Sequence, residues 1–398
     1  MYREKTSCIC CDKTDLVQIL DLKDQPLANS YHKIDEILDA YPLKLNLCKN
    51  CYHLQLSHIV DPNLLFKNYL YVSGTTQTLR DYFDWFANFV SEYEPTAQTV
   101  LDIACNDGSQ LDSFSKLNFD TYGIDPAENL HQISSVKHKV ICDYFDASHF
   151  DEKFDVIVAQ NVFAHNENAK KFLDDCTQIM HNDSLLFIQT SQAEMIEQNQ
   201  FDTIYHEHLS FFNINSFNEL TKRTKLYLVD VIKTPIHGTS YVFVLSRTKS
   251  RSHHIKNQIE IERSKQLLSL SRYTLYQTKV ISLVNDFKKN VESFRVKGYK
   301  IIGYGAAAKG NTFLNFADVR LDYIIDDNPL KQQLFTPGMN IPIVSINKLN
   351  EYNDTDKILF IPLAWNFYDE IVKRIVKVRR NPLDCYMKYF PEIDIKTI

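Results

Sequence analysis

Hydrophobic and polar residues follow two patterns along the first part of the chain. From Thr78 to Tyr93 (TLRDYFDWFANFVSEY) the apolar residues recur at helical spacing, which predicts an amphipathic helix. Five short apolar runs that follow predict strands: TVLDIA (99–104), TYGID (121–125), KVIC (139–142), FDVIVAQN (154–161) and SLLFIQT (184–190). Because helical segments separate these runs, they indicate a parallel sheet with crossover helices. LYLVDVIKT (226–234) and SYVFVLSR (240–247) flank PIHGT and predict an antiparallel pair that closes the sheet.

A second α/β pattern occupies the C-terminal part. Residues 247–297 contain neither Gly nor Pro and predict a long connecting helix or a helix pair. After them, YKIIGYG (299–305), LDYIIDD (321–327) and KILFIPLAWN (357–366) predict a second sheet, and VKRIVKVRR (372–380) predicts a docked helix with a solvated basic face. Residues 1–70 hold paired cysteines and show little regular periodicity. The sequence therefore predicts an α/β protein with two nucleotide-fold-like units.

Composition and charge exclude several classes of partner. The chain has 398 residues, of which 44% are apolar and 24% are charged, and its net charge is −6. An acidic chain argues against nucleic acid or an anionic membrane as the main partner. No apolar run approaches the ~18 residues that span a bilayer, and the polar start MYREKTSCICCDK lacks the apolar segment of a signal peptide. We therefore expect a soluble, cytoplasmic protein and, since nothing resembles a coiled coil, a monomer.

Two Cys-x-x-Cys pairs, Cys8/Cys11 and Cys48/Cys51, mark the N-terminal region. Thiolates at this spacing can converge from two turns on one tetrahedral ion, which predicts a closed structural zinc site. Four sulfur ligands leave no open position for water, so this zinc would stabilise the fold rather than catalyse a reaction. Cys10 leaves an ambiguity, because it could replace Cys11 in a Cys-x-Cys arrangement. Four unrelated thiols and a redox pair are the alternatives, although no thioredoxin-like strand precedes either pair.

The turn after TVLDIA has the features of a nucleoside site. An acidic residue ends the following strand, and such a carboxylate can accept hydrogen bonds from both ribose hydroxyls. The frame D-x-A-x-N-x-G keeps only the last glycine of the D/E-x-G-x-G-x-G frame usual in enzymes that use S-adenosylmethionine (SAM). An ordinary strand–turn–helix is the alternative. The candidate cofactor-binding residues are Asp102, Ala104, Asn106, Asp107, Gly108, Asp125 and Asn161, and His165 is expected near the same sheet edge.

The segment DTIYHEHLSFF (202–212) places a phenol, two imidazoles and a carboxylate on the consecutive residues Tyr205, His206, Glu207 and His208. Such a cluster can move protons, can hold a metal ion through the pair His206 and His208, or can satisfy itself in a polar core. The metal interpretation needs further ligands, and no spacing signals them. The nucleoside turn in the same chain favours proton transfer.

With these motifs, the chain resembles the SAM-dependent nucleotide-sugar C-methyltransferases of deoxysugar biosynthesis. The shared features span nearly the whole length: the paired cysteines with QPLANSY between them and YHLQLSHIVDPNLLFKNYLYVSGTT after them, DIACNDGSQL with GIDPAEN, VFAHN, TIYHEHLSFF, and GYGAAAKGNTFLNF with IDDNPLKQQLFTPGMNIPI. The resemblance implies a zinc-binding domain (1–70), a class I methyltransferase domain (71–250), a helical connector (251–297) and a Rossmann-like C-terminal domain (298–398). Ala104 and HGTS (237–240) depart from the family, which usually has glycine and HGGS there.

The resemblance also implies the reaction: methylation of the carbon next to the ketone of a 4-keto-6-deoxy sugar linked to dTDP or GDP. This chemistry needs a base for the α-proton, a group that stabilises the enolate oxygen, and an in-line methyl sulfonium. His208 is the candidate base, because an imidazole has a pKa of about 6.5, and Glu207 would orient a histidine and stabilise its charged form. Tyr205 would donate a hydrogen bond to the enolate oxygen, with His165 or Tyr71 as a second contributor.

The second glycine turn, IIGYGAAAKG (301–310), fits a dinucleotide fingerprint through Gly303, Gly305 and Ala308, with Asp326 at the end of the next strand. By itself this pattern could bind NAD, whereas the resemblance implies that the domain holds the nucleotide sugar. A diphosphate at a helix N-terminus suits either ligand. The candidate substrate-binding residues are Gly305, Lys309, Asn311 and His237; Lys309 could equally lie at the surface.

Three rival functions stay open on the sequence. They are a sugar O-methyltransferase, an NAD-linked sugar-nucleotide oxidoreductase and a catalytically silent binding protein. Solvent deuterium uptake at the α-carbon, nucleotide preference and SAM turnover discriminate among them.

Overall fold

The computed structural model describes residues 2–34, 36–66, 72–191, 194–248 and 250–397. The chain falls into two compact units. The first comprises Met1–Gln18, Asn46–Ala193 and Glu207–Ser269, and the second comprises Ile19–Leu45, Glu194–His206 and Leu270–Ile398. Each unit therefore draws on three separate stretches of the chain.

The N-terminal region contains short strands and one short helix: β1 (Tyr2–Glu4), β2 (Leu16–Pro26), β3 (Ala40–Cys48), β4 (Leu54–Leu56), β5 (His58–Val60) and α1 (Pro62–Phe66). β1 pairs antiparallel with β5, and β2 and β3 are neighbours in one sheet. The region thus contains regular strands although its sequence as a whole shows little regular periodicity. Leu43, Leu45 and Leu47 of β3 are buried, while the residues between them are partly exposed. This period of two was the strand signal in the sequence.

The core of the first unit is a seven-stranded sheet with its helices. In chain order the elements are α2 (Gln77–Tyr93), β6 (Thr99–Ile103), α3 (Ser109–Ser115), β7 (Asp120–Ile124), α4 (Glu128–Ser134), β8 (Lys139–Ile141), β9 (Phe154–Gln160), α5 (Ala169–Gln178), β10 (Met180–Ser191), β11 (Ser210–Phe211), α6 (Ile214–Thr221), β12 (Tyr227–Thr234) and β13 (Ser240–Ser246). The strand order is β12-β13-β10-β9-β6-β7-β8. β13 is antiparallel to both neighbours, and the other pairs are parallel. This arrangement confirms the predicted class I methyltransferase core.

Helix α2 forms as its apolar period predicts. Thr76 caps it, because its hydroxyl oxygen accepts a hydrogen bond from the backbone N–H of Leu79 at 3.3 Å. Phe86 is fully buried, and its ring meets Phe187 of β10 edge-on at a centroid distance of 6.1 Å. Truncating a buried phenylalanine to alanine costs about 3–5 kcal/mol, so this contact is a main tie between α2 and the sheet.

The connector forms a helix pair, as predicted, with α7 (Ser252–Ser264) in the first unit and α8 (Leu270–Val296) in the second. The second sheet and its helices follow: β14 (Lys300–Tyr304), α9 (Ala308–Ala317), β15 (Tyr323–Ile325), β16 (Ile343–Val344), β17 (Ile358–Pro362), α10 (Tyr368–Val378), β18 (Cys385–Lys388) and β19 (Asp394–Thr397). Among the described helices, none combines the length and the apolar character that crossing a membrane requires.

The second sheet has the order β16-β15-β14-β17-β18-β19 and is parallel except for β19. The chain moves outward from β14 to β16 and then returns to β17 on the other side of β14. The loops after β14 and β17 therefore border a crevice of the kind in which α/β sheets bind ligands. Helix α10 buries Ile371 and Ile375, which confirms the predicted docked helix.

Candidate active site

Four cysteine thiols converge in the N-terminal region. The sulfurs of Cys8, Cys11, Cys48 and Cys51 all lie within 4.8 Å of one another, and Cys11 alone of the four is partly exposed. Within the described ranges, this is the one group of three or more His, Cys, Asp or Glu residues that could share an ion. Four clustered thiols are the donor set of a structural Zn²⁺ site, so these residues fit zinc. Cys10 lies outside the group, which resolves the ambiguity in favour of Cys11.

A cavity of about 320 Å³ opens at the carboxyl ends of β6, β7 and β9 in the first unit. Ligands of α/β folds bind at this edge. The cavity wall also includes His165 and His237. Five of the predicted cofactor-binding residues line it: Asp102, Ala104, Asn106, Asp125 and Asn161. The cavity therefore lies at the sheet edge where the sequence predicts the cofactor site, and the binding roles of these residues stay predictions.

Positive backbone φ angles shape the turn between β6 and α3. The φ angle is 63° at Ala104, 52° at Asn106 and 80° at Gly108. Gly108 suits this conformation, and a Cβ there would also come within 3.1 Å of the His138 ring. Ala104 has a Cβ, and a left-handed backbone costs a residue of that kind about 1–2 kcal/mol. The departure from the family glycine thus introduces backbone strain while the turn keeps its form.

Asp125 and Asp107 use their carboxylates differently. One oxygen of Asp125 accepts the N–H of Asn106 at 2.9 Å and the other accepts the N–H of Ala127 at 2.8 Å. Each oxygen keeps a lone pair, so ribose hydroxyls can still donate to them. Asp107 instead accepts the N–H of Gly74 at 2.9 Å and does not line the cavity. Its contact holds the turn against the segment before α2.

The carboxylates of Asp102 and Asp125 face the cavity. Both residues are buried, with exposed fractions of 3% and 6%. Burial raises the pKa of Asp102 well above its ordinary value, and the charges of Asp125 and Asp107 raise it further. Burial also raises the pKa of Asp125, against the lowering effect of its two backbone hydrogen bonds. A ligand that brings positive charge and hydroxyl donors would relieve this unfavourable field. SAM carries a sulfonium, an ammonium and two ribose hydroxyls, so the residues fit it.

His165 lies in the cavity wall and stacks on His208. The rings of His165 and His208 lie 5.3 Å apart with an interplanar angle of 24°, and Phe66 stacks on His165 at 5.3 Å and 11°. Burial lowers the pKa of His165 to about 4. His165 is therefore neutral at pH 7 and offers one donor and one acceptor nitrogen. Tyr71, the other candidate from this part of the sequence, lies outside the described residues.

The segment 205–208 is divided between the two units. Tyr205 and His206 belong to the second unit, whereas Glu207 and His208 belong to the first and are 3% and 6% exposed. The Nε2 atom of His206 lies 3.2 Å from the carbonyl oxygen of Tyr41, within the second unit. Neither histidine belongs to a group that could share a metal ion among the described residues. The geometry therefore gives the metal interpretation no further ligands.

The segment HGTS (237–240), where the sequence departs from the family, has a strained backbone. His237 has a φ of 55°, and Thr239 has φ 95° and ψ 120°. The latter region is sparsely populated by residues other than glycine and costs of order 1–3 kcal/mol. His237 was a candidate for substrate binding, and the structure puts it at the cavity of the first unit.

The glycine turn of the second unit is bonded to several of the protein's own side chains. Gly305 has a φ of 90°, and Asp326 accepts the N–H of Ala306 at 2.7 Å. The carbonyl of Ala306 accepts hydrogen bonds from the Tyr31 hydroxyl at 2.6 Å and from the Lys331 ammonium at 2.7 Å. Lys331 lies 4.8 Å from the centre of the Tyr31 ring. Dinucleotides bind with their diphosphate on such a turn and a ribose on the following acid. These contacts occupy the Ala306 carbonyl and leave the choice between NAD and a nucleotide sugar open at this turn.

Lys309 and Asn311 follow the same turn. Lys309 is half-buried, with its ammonium 5.4 Å from the centre of the Trp365 ring. Burial lowers its pKa, whereas the charge of Asp202 raises it. The fully buried Asp202 also accepts a hydrogen bond from the Trp365 indole at 2.7 Å. The amide of Asn311 donates to the carbonyl of Ala28 at 2.8 Å, so it holds the segment 27–31 of its own unit.

Two glutamines in the cavity wall were not among the predicted residues. Gln160 donates its amide hydrogen to Gln110, which in turn donates to the carbonyl of Phe83 at 3.3 Å. The side-chain oxygen of Gln160 is buried and accepts no hydrogen bond from the described residues. The position of Gln160, beside Asn161 at a strand end, was a usable signal. No local sequence pattern indicated that Gln110 would line the cavity.

Comparisons with known proteins agree with this geometry. Residues 8–66 match a zinc-binding domain family, residues 75–231 a methyltransferase domain family, and residues 235–385 the C-methyltransferase C-terminal domain family. The C-methyltransferase NovU of Streptomyces niveus is 25% identical over 394 residues, which cover 94% of this chain and 92% of that protein. The matches to the three families follow one another along nearly the whole chain.

Solved structures align with parts of the chain. A SAM-dependent methyltransferase from Clostridium acetobutylicum ATCC 824 aligns at 13% identity and a TM-score of 0.35, covering 42% of this chain and 93% of that one. The sugar N-methyltransferase KedS8 from Streptoalloteichus sp ATCC 53650 aligns at 19% identity and a TM-score of 0.25, covering 28% and 48%. From the family matches, the sheet topology and the two sites, the chain is a SAM-dependent methyltransferase with a zinc-binding region, a class I core and a second domain that matches the C-methyltransferase C-terminal domain family.

Proposed function

We propose that the enzyme methylates the carbon next to the ketone of a nucleoside-diphosphate-linked 4-keto-6-deoxy sugar. The observation that carries the proposal is that His165, in the wall of the cavity that fits SAM, stacks on His208. A ring carbon has no lone pair, so it must lose a proton before it can attack a methyl group. Among the ring C–H groups, those next to a ketone are acidic enough for an imidazole base. The similarity to a C-methyltransferase supports carbon as the acceptor.

His208 is the proposed base, and one of its ring nitrogens would take the α-proton. The stacked His165 supports this role because its pKa of about 4 keeps it neutral, so it does not repel the imidazolium that forms at His208. Glu207 is buried beside His208 in sequence and would stabilise the same positive charge. These three residues would therefore make proton removal favourable near neutral pH.

The enolate oxygen needs hydrogen-bond donors as its charge develops. Tyr205 is the proposed main donor, and His165 or Tyr71 is the proposed second one. When bound, SAM supplies the electrophilic methyl group. The proposed SAM-binding set is Asp102, Ala104, Asn106, Asp107, Gly108, Asp125 and Asn161, with Asp125 receiving the ribose hydroxyls.

The nucleotide would be held by the C-terminal domain, for which we propose the limits 298–398, after a zinc-binding domain (1–70), a methyltransferase domain (71–250) and a connector (251–297). Gly305 would let the diphosphate approach the turn, and Lys309 would supply a positive charge in the crevice after β14. His237, in the cavity wall of the first unit, is the fourth proposed substrate-binding residue. Asn311 would act mainly by holding Ala28 in place.

Proton exchange without methyl transfer tests the proposal. The enzyme is incubated in D₂O, without SAM, with dTDP-linked and GDP-linked 4-keto-6-deoxyhexoses, and proton NMR follows the signal of the α-hydrogen. We expect exchange with one of these substrates, its loss in His208→Asn and its retention in His253→Asn, which changes an exposed histidine of α7. Methyl transfer without α-exchange would favour an O-methyltransferase. Exchange at the wild-type rate in His208→Asn would remove this residue as the base.

A further inference from the structure

The turn that carries the second cysteine pair is docked on the residues that follow His208. We call residues 48–53, which include Cys48 and Cys51, the zinc knuckle. Directly after it, β4 pairs antiparallel with β11, with Gln55 opposite Ser210 and Leu54 opposite Phe211. The N–H of Leu56 also donates to the carbonyl of Leu209 at 2.9 Å. Backbone hydrogen bonds thus begin one residue after the proposed base.

Three side chains strengthen this attachment. His53 and Ser210 are both fully buried, and the Nε2 atom of His53 lies 3.2 Å from the Ser210 hydroxyl. The amide of Asn213 donates to the carbonyl of Tyr52 at 2.7 Å. The amide of Asn215 donates to the carbonyl of the zinc ligand Cys51 at 2.9 Å. The knuckle is therefore tied to residues 210–215 at three separate points.

Strand β11 has only two residues, and so short a strand has little stability without its partner. Its partner β4 has three residues and follows Cys51 closely. β4 also lies beside β3, which ends at Cys48, so the strand pair depends on β3 and on what fixes its own ends. On the β4 side that is the cysteine cluster. On the β11 side the chain runs straight into His208, whose ring also meets Phe211 edge-on at 6.3 Å.

We propose that the zinc knuckle is a positioning element for the catalytic base. In this arrangement the four thiolates fix residues 48–51, the knuckle fixes β11, and β11 sets the direction of the His208 imidazole against His165. Ser210 and Asn215 are positioning residues, since they act through His208. The inference rests on the proposed function for the role of His208 as the base. On this proposal the zinc site supports catalysis by positioning His208, although the ion takes no part in the chemistry.

The double variant Ser210→Ala/Asn215→Ala tests it, because it cuts two ties and leaves every cysteine in place. We expect the wild-type zinc content and an affinity for S-adenosylhomocysteine (SAH) within about twofold of wild type, with kcat lowered by about tenfold or more and KM little changed, since small misplacements of reacting groups are costly. Ser184→Ala is the matched control. It removes another fully buried serine hydroxyl, bonded to the carbonyl of Phe154 at 2.6 Å, outside the cavity wall. It should lower stability and leave kcat unchanged. A wild-type kcat in the double variant would overturn the inference.

Hydrogen exchange gives a readout that needs no substrate and no variant. The full-length wild-type protein is compared with and without zinc, after removal of the ion by a chelator, and the deuterium uptake of peptides is measured by mass spectrometry. We expect faster exchange at residues 209–212 in the zinc-free protein and unchanged protection at 99–124, where β6 and β7 form the SAM turn. Unchanged exchange at 209–212 would overturn the inference. If His208→Asn retains α-proton exchange, His208 instead loses its proposed role as the base, and the hold of zinc on β11 is still decided here.

Discussion

Asp102 and Asp125 face the same cavity, but their substitution by asparagine should change stability in opposite directions. Asp125 accepts two backbone hydrogen bonds, from Asn106 and Ala127. Asp102 accepts no hydrogen bond from the described residues, and the negative charges of Asp125 and Asp107 disfavour its ionised form. We expect Asp102→Asn to stabilise the ligand-free protein and Asp125→Asn to destabilise it, while both weaken the binding of SAH.

The magnitudes follow from these contacts. The amide of Asp125→Asn can accept only one of the two N–H donors and leaves the other buried and unpaired, which costs about 1–3 kcal/mol. Relief of a strained functional site, as in Asp102→Asn, typically adds about 0.5–2 kcal/mol. In a cooperative unit of 150–250 residues, 1 kcal/mol corresponds to about 2–4 °C in Tm. The loss of a charged acceptor should weaken SAH by about 1.5–3 kcal/mol, or roughly 10- to 150-fold.

The pH dependence supplies an internal check on Asp102. Its folded-state pKa is raised, so the folded protein holds the proton more tightly than the unfolded chain. Stability from this group is therefore complete below the unfolded pKa of about 3.9 and is lost as pH rises towards the folded pKa. The advantage of Asp102→Asn over wild type should accordingly grow as the pH rises above about 4 and vanish below it.

Thermal unfolding followed by circular dichroism, at pH values from 4 to 8, measures the stabilities, and calorimetry measures the SAH affinity. Equal destabilisation by both substitutions would refute the reasoning, because it would mean that Asp102 is held by bonds as Asp125 is. A pH-independent advantage for Asp102→Asn would show that the gain does not come from the carboxylate charge.

Three further predictions concern other parts of the molecule. Because burial lowers the pKa of His165 to about 4, the pH profile of kcat/KM should contain no ionisation of this residue between pH 5 and 8; an ionisation in that range that disappears in His165→Asn would contradict this. The chain has two tryptophans, so Trp85→Phe leaves Trp365 as the only tryptophan. A nucleoside diphosphate should change the tryptophan fluorescence with an affinity that Lys309→Gln lowers; no change on addition of dTDP or GDP would count against the proposed nucleotide site. Ala104→Gly should raise the free energy of unfolding by about 0.5–1 kcal/mol, because the relief of about 1–2 kcal/mol of strain exceeds the entropic cost of glycine of about 0.5–1 kcal/mol; a loss of stability in chemical denaturation would contradict it.

The parts of the fold that the sequence predicted are those with strong local signals. The strands around Asp102 and Asp125 are continuous apolar runs, because a parallel sheet buries both faces. Their polar ends were visible against that background. The resemblance to a known family then connected this edge with His165 and His208, and the structure stacks these two rings.

The parts that the sequence did not reveal depend on distant contacts. The leucines of β3 alternate over few residues, so the strand was obscured by its polar neighbours. Tyr31 and Lys331 both bond to the carbonyl of Ala306, a contact between residues far apart in sequence. No local pattern indicates that these two side chains meet at a glycine turn with a dinucleotide fingerprint. The ties between the zinc knuckle and β11 are equally non-local, since residues 48–53 meet residues 210–215 only in the fold.

The central claim is that the methyl group is transferred to the carbon next to the ketone. SAM with a ¹³C-labelled methyl group is mixed with the enzyme and dTDP-linked or GDP-linked 4-keto-6-deoxyhexose, and the product is examined by two-dimensional ¹H–¹³C NMR. We expect a carbon-bound methyl signal that correlates through bonds with the ketone carbon, and we expect this signal to be absent with His208→Asn. A methoxy signal, or a labelled methyl group on a carbon that is not next to the ketone, would contradict it.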